Sequence, residues 1–139
     1  MSSEAKSRIL IVDDNQDLAK VMRVVLVQAG FEVEIVFSGQ EALDQLTQHM
    51  PDVIILDLMM PDISGFTILR QLRASESTAP LPVIVLTARM DQESRLESQS
   101  AGANAYLTKP FNAQALIEHV RQALKAKNAP PSHAELRAL

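Results

Sequence analysis

Short runs of consecutive apolar residues alternate along this chain with stretches whose apolar residues recur at helical spacing, and few architectures accommodate that alternation. Ile9-Leu10-Ile11-Val12, Val53-Ile54-Ile55-Leu56 and Val83-Ile84-Val85-Leu86 read as strands buried on both faces. Glu32 to Val36 reads as a further strand and Ala105 to Leu107 as a short fifth. Between them lie helical stripes. Leu18, Val21, Met22, Val25, Leu26 and Ala29 keep helix spacing, and Gly30 ends that helix. Ser38 followed by Glu41 matches a capping box, with Leu43, Leu46 and Met50 on one face and Pro51 as the stop. Gly65 to Ala74 is a short helix with Phe66, Leu69 and Leu72 inward. Asp91 to Ser100 is helical but carries only Leu96 as a large apolar residue after Met90, and Gly102 closes it. Asn112 can cap a last helix with the inner face Leu116, Val120, Ala123 and Leu124. Five strands alternating with five helices predict a parallel sheet covered on both sides.

The length of 139 residues suits one domain with a single core. We expect it over residues 7–127. Asn128-Ala129-Pro130-Pro131-Ser132 breaks the last helix, so residues 128–139 read as a linker or tail that leads to an output domain or ends a protein acting alone. Lys and Arg are scattered from Lys6 to Arg137 without a block, which argues against direct nucleic-acid binding by this segment. The absence of cysteine excludes disulfides and thiolate metal sites. His49, His119 and His133 lack ligand spacing. No apolar run is long enough to span a bilayer, and Met1 to Arg8 has no apolar signal core, so a cytoplasmic location is the expectation.

In an open parallel sheet, functional groups gather beyond the carboxyl ends of the strands. The first strand ends in Asp13-Asp14-Asn15, the third in Asp57, the fourth in Thr87-Ala88, and the fifth leads into Thr108-Lys109-Pro110. The second ends in Val36-Phe37-Ser38, without an ionisable group. The order 2-1-3-4-5, that of the flavodoxin-like doubly wound folds, would bring the four chemically equipped ends together. Three carboxylates in a semi-buried site repel one another, and a hard divalent cation with oxygen ligands relieves this. Mg²⁺ fits best because it needs few protein ligands and keeps several waters, and Mn²⁺ could replace it. Each residue alone has a plain reading: Asp14 or Asn15 as a helix cap, Thr87 as a turn residue, Lys109 as a surface lysine. Their placement at equivalent ends of consecutive strands singles out the set.

Asp13-Asp14, Asp57 within Val53-Ile54-Ile55-Leu56-Asp57-Leu58-Met59-Met60-Pro61-Asp62-Ile63-Ser64-Gly65, Thr87-Ala88, and Tyr106-Leu107-Thr108-Lys109-Pro110-Phe111 together resemble the receiver domain of two-component response regulators. The resemblance runs from about Ser7 to Lys127. It implies a phosphorelay component that is not an enzyme, though it assists its own phosphorylation and dephosphorylation. Asp57 would take a phosphoryl group from a phosphohistidine on a sensor kinase or phosphotransfer protein. Asp14 would bind Mg²⁺ directly, Asp13 mainly through water, and Asp57 and the backbone carbonyl of Met59 would complete the protein ligands. Lys109 and Thr87 would contact the phosphoryl oxygens, and small Ala88 would leave room for them. Lys109-Pro110 would be a cis peptide. Thr87 and Tyr106 would act as a switch, moving a face made by the fourth helix, fifth strand and fifth helix to control an output domain or partner. A homodimer formed on phosphorylation would lack the acidic pair common before the tyrosine, since Asn104 and Ala105 stand there. Met59 and Arg89 occupy positions that tune phosphate loss, and a phosphorylated state lasting at least minutes is expected.

Three rival functions read the same residues differently. A phosphatase with an aspartate nucleophile would need a general acid two residues after Asp57, where Met59 stands. A receiver-like module could signal through protein contacts without phosphate. A flavin or nucleotide site would want a phosphate-cradling loop where Asp13-Asp14 lies.

Overall fold

The computed structural model describes residues 6–88 and 92–128. Arg89, Met90 and Asp91, with the expected start of the fourth helix, and the tail from Ala129 onward, with Pro130 and Pro131, lie outside the described residues. In chain order the elements are β1 (Arg8–Val12), α1 (Gln16–Gln28), β2 (Glu32–Val36), α2 (Gly39–Gln48), β3 (Val53–Asp57), α3 (Gly65–Ala74), β4 (Val83–Thr87), α4 (Gln92–Ala101), β5 (Ala105–Thr108) and α5 (Ala113–Asn128). The strands form one parallel sheet in the order β2-β1-β3-β4-β5. Burial explains the order. β3 and β4 are buried at every residue and β1 at all but Arg8, so these take the middle. In β2, exposed Glu32 and Glu34 alternate with Val33 and Ile35, the pattern of an edge strand with one wet face.

Two apolar layers lie on opposite faces of the sheet. Leu10, Val12, Ile54, Leu56, Val83 and Val85 pack with α2 and α3 through Ala42, Leu46, Ile68, Leu69 and Leu72. Ile9, Ile11, Val53, Ile55, Ile84 and Leu86 pack with α1 and α5 through Ala19, Met22, Leu26, Leu116 and Val120. Helix starts are capped as the sequence suggests. Asn15 accepts from Leu18 N at 3.1 Å, Ser38 from Glu41 N at 3.1 Å, and Asn112 from Ala115 N at 3.0 Å. Among the described residues no helix is long and apolar enough to cross a membrane.

Three apolar residues of the helical stretches face outward. Val21 is 52% exposed, because it lies about 100° around the helix from Met22, off the line that meets the sheet. Met50 falls beyond the end of α2 and is exposed. Leu96 is 53% exposed, and the buried residues of α4 are Ser94 and Ser98. Leu96 is two residues from each serine, about 200° around the helix, so burying the serines turns it to solvent.

One side chain ties several loops together. Arg73, near the end of α3, donates to the carbonyls of Gly102 (2.9 Å), Ala79 (3.1 Å) and Leu81 (2.7 Å) and to Asn104 Oδ1 (2.9 Å). Asn104 Oδ1 also accepts from Val83 N at 2.8 Å. The clasp therefore fixes the segments entering β4 and β5.

Candidate functional site

The strand order places the ends of β1, β3, β4 and β5 side by side, and Asp13, Asp14, Asp57, Met59, Thr87 and Lys109 stand there or in the turn that follows. Asp13 extends β1, its amide donating to Val36 O at 3.2 Å. Its Oδ1 accepts from Asn15 N at 2.9 Å, which sets the turn into α1. Asp57 is the last residue of β3, in register with Leu86. Thr87 closes β4 opposite Thr108 and is fully buried. Tyr106 lies opposite Val85, so Thr87 and Tyr106 share a sheet face. The Lys109–Pro110 peptide is cis, and Lys109 N donates to Thr87 O at 2.8 Å.

Asp13, Asp14 and Asp57 each offer a carboxylate oxygen within 4.8 Å of the others. Asp13 and Asp57 are buried and Asp14 is exposed, so the cluster opens to solvent on one side. Lys109 Nζ lies 3.3 Å from Asp13 Oδ2 and 3.4 Å from Asp57 Oδ2. One ammonium thus pairs with two of the three carboxylates. Met59 N donates to Asp57 Oδ1 at 3.0 Å. Burial raises the Asp57 carboxyl from its ordinary 3.8 to about 6. The Met59 amide opposes that rise, the Asp13 charge adds to it, and Lys109 opposes it again.

The residues suit a hard cation. The donor set is oxygen only, its charge exceeds what Lys109 can balance, and buried Asp13 Oδ2 has the ion pair with Lys109 but no hydrogen bond. An open cleft beside the cluster is lined by Asp14, Met59, Met60, Pro61 and Phe66, and Met59 is 56% exposed on it. A carboxylate nucleophile with one oxygen held by an amide and the other beside an ammonium, next to an open cleft, can accept an electrophilic group carrying negative charge.

Sequence reasoning passed over Gly65, Asp62 and Arg95. Gly65 was seen as a helix start and as the end of the motif around Asp57, with no contact assigned to it. A Cβ there would lie 2.4 Å from Asp57 O and 2.6 Å from Leu58 Cα, so α3 can begin this close to the Asp57 backbone only without a side chain. Asp62 Oδ1 accepts from Gly39 N at 3.1 Å and Oδ2 from Gln40 N at 3.0 Å. The Arg95 guanidinium lies 5.8 Å from the centre of the Tyr106 ring. The first signal that could have pointed to Gly65 was its place directly before an apolar helix; the other two contacts arise from topology alone.

Comparison with known proteins agrees with this geometry. A family model of the response regulator receiver domain matches residues 9–121. The chain is 36% identical over 128 residues to the DNA-binding dual master transcriptional regulator RpaA of Synechocystis sp., covering 92% of this chain and 53% of that protein. It is 37% identical over 119 residues to the response regulator ArlR of Staphylococcus aureus, covering 86% of this chain and 53% of that protein. The chain thus spans about half the length of these relatives. A crystal structure of a putative response regulator from Chloroflexus aurantiacus superposes with a TM-score of 0.83 at 39% identity, covering 86% of this chain and 98% of that one.

Proposed function

The chain belongs to the family of response regulator receiver domains, and from that premise we propose that its acidic cluster is a phosphoacceptor centre with Asp57 as the nucleophile. The observation that carries the reading is the Lys109 ammonium set 3.3 and 3.4 Å from Asp13 and Asp57 within a cluster of three carboxylates at the strand ends. An Asp57 carboxylate oxygen attacks the phosphorus of a phosphohistidine on a partner kinase or phosphotransfer protein. The new P–O bond replaces the P–N bond, and the electron pair leaves with the imidazole. Mg²⁺ (or Mn²⁺), held by Asp14, Asp57 and the Met59 carbonyl directly and by Asp13 mainly through water, would offset charge on the phosphoryl oxygens.

Lys109 stays beside Asp57 and follows the charge onto the phosphoryl group. The Thr87 hydroxyl donates to a phosphoryl oxygen, and Ala88 leaves space for it. The product carries about two negative charges where one stood. Thr87 moves toward that charge and Tyr106 turns into the space behind it, since the two share a sheet face. The surface of α4, β5 and α5 then changes and is read by an output domain or a downstream protein. Residues 7–127 form the receiver unit in this reading, with the remainder a linker or tail. Exposed Met59 carries no polar side-chain group to orient an attacking water, so the aspartyl phosphate is expected to last at least minutes.

Intact-mass measurement after incubation with acetyl phosphate, with and without Mg²⁺ and beside Asp57→Asn, tests this. The expected gain is one phosphoryl group that requires both the cation and Asp57. A folded chain that gains none would instead be a module that signals through protein contacts alone. An acyl phosphate that decays within seconds would remove the argument from Met59.

A further inference from the structure

The loop of residues 58–64 leads out of β3 and carries Met59. Both its ends are tied to the body. Leu58 N donates to Leu86 O at 3.3 Å, Met59 N to Asp57 Oδ1 at 3.0 Å, and Gly65 N to Leu58 O at 3.1 Å. The outer part, Pro61 and Asp62, is exposed. It is held by the two bonds from the α2 amides Gly39 N and Gln40 N to the Asp62 carboxylate. Helix N-termini leave their first amides without intrahelical partners, and a carboxylate there gains from both the hydrogen bonds and the helix dipole. Those two bonds hold the Asp62 carboxyl below its ordinary value.

Two further facts make this more than a helix cap. The start of α2 already has a local cap, Ser38, whose Oγ accepts from Glu41 N at 3.1 Å. The helix also approaches the loop unusually closely. A Cβ on Gly39 would lie 2.8 Å from Ile68 Cδ1 and 2.9 Å from Ile63 Cβ, so a larger residue would push the helix start away from the loop. The partners of Asp62 sit 23 and 22 residues earlier in the chain. The carboxylate therefore fastens a loop of the site to a neighbouring helix.

We propose that Asp62 is a positioning residue for the phosphoacceptor centre: by gripping the start of α2 it fixes the loop whose Met59 backbone meets Asp57 and the cation. The inference rests on the phosphoacceptor reading given above. Without the carboxylate the loop keeps its ends but loses its outer anchor, and the Met59 backbone is free to drift from the geometry that cation binding needs.

The test compares Asp62→Ala, Asp62→Asn and Ser38→Ala in the full chain. Mn²⁺ is the probe, with the free ion read by electron paramagnetic resonance, beside thermal melts. Asp62→Ala and Ser38→Ala each remove a cap from the same helix and should lower Tm by similar amounts. Only Asp62→Ala should weaken Mn²⁺ binding, by roughly tenfold. Asp62→Asn, whose single amide oxygen can serve one of the two amides, should fall between it and the native chain. Equal Mn²⁺ affinity in Asp62→Ala and Ser38→Ala overturns the inference and leaves Asp62 a simple cap. If Asp62→Ala does not fold, native affinity in Asp62→Asn overturns it instead. A folded native chain that binds no Mn²⁺ removes the phosphoacceptor reading itself, and this inference with it.

Discussion

At Asp57 the proposed role and stability pull in opposite directions. Its carboxyl titrates near 6 in the folded chain against an ordinary value of 3.8. Between those values the folded state holds a proton that the unfolded chain has released, so stability falls as pH rises from 3.8 and levels off above about 6. Asp57→Asn keeps an acceptor for the Met59 amide without the buried charge. In the presence of chelator it should be more stable than the native chain at neutral pH by about 1–2 kcal/mol, a value reduced for the solvent-open side of the site. The gain should vanish below pH 3.8. Urea denaturation at the two pH values measures it, and a less stable Asn variant at neutral pH would contradict the sign. Residues such as Asp57 were legible because strand ends are written locally, as an apolar run followed by an acid. Asp62 was not, because its partners lie 23 and 22 residues away and exist only once α2 and the 58–64 loop are side by side. Gly65 was visible as a glycine, but the contact that requires it belongs to the backbone of the preceding strand.

Among the helices, α4 is held differently from the rest. α1, α2, α3 and α5 insert large or branched apolar side chains such as Met22, Leu46, Leu69 and Val120 into the core. α4 buries Ser94 and Ser98 instead, and Ser98 Oγ bonds back to Ser94 O at 2.8 Å. The poverty of its apolar face could be read from the sequence. Its rotation could not, because nothing local says that serines will be preferred to Leu96. Hydrogen exchange should find the α4 amides less protected than those of α3 and α5, and protection equal to α5 would show that the helix is not weakly held. The C-terminal end of α4 has a firmer neighbour in the Arg73 clasp. Arg73→Ala removes the donor for three carbonyls and for Asn104 and should cost about 2–3 kcal/mol by urea denaturation. Arg73→Lys should recover little of it, since an ammonium cannot present the planar fork that reaches four acceptors. A variant with near-native stability would mean that the clasp is idle.

Over the whole molecule, the two apolar layers position the site without taking part in it. The strand order could be inferred because the flavodoxin-like order is one that brings the acids, hydroxyl and ammonium together, and the sheet adopts it. Cation binding to the folded chain alone should couple to global stability. Mg²⁺ at ten times its dissociation constant should add about 1.4 kcal/mol, seen as a rise in Tm. Asp13→Asn and Asp57→Asn should lose that increment, and a native Tm indifferent to Mg²⁺ would deny the cation a place in the cluster. The Arg95 contact on Tyr106 has a consequence of another kind. The chain has one tyrosine and no tryptophan, so its intrinsic fluorescence is the emission of a single ring lying on β5 beneath a guanidinium of α4. The protein therefore carries its own unlabelled optical reporter, and any rearrangement of that surface is written in the brightness and lifetime of one fluorophore.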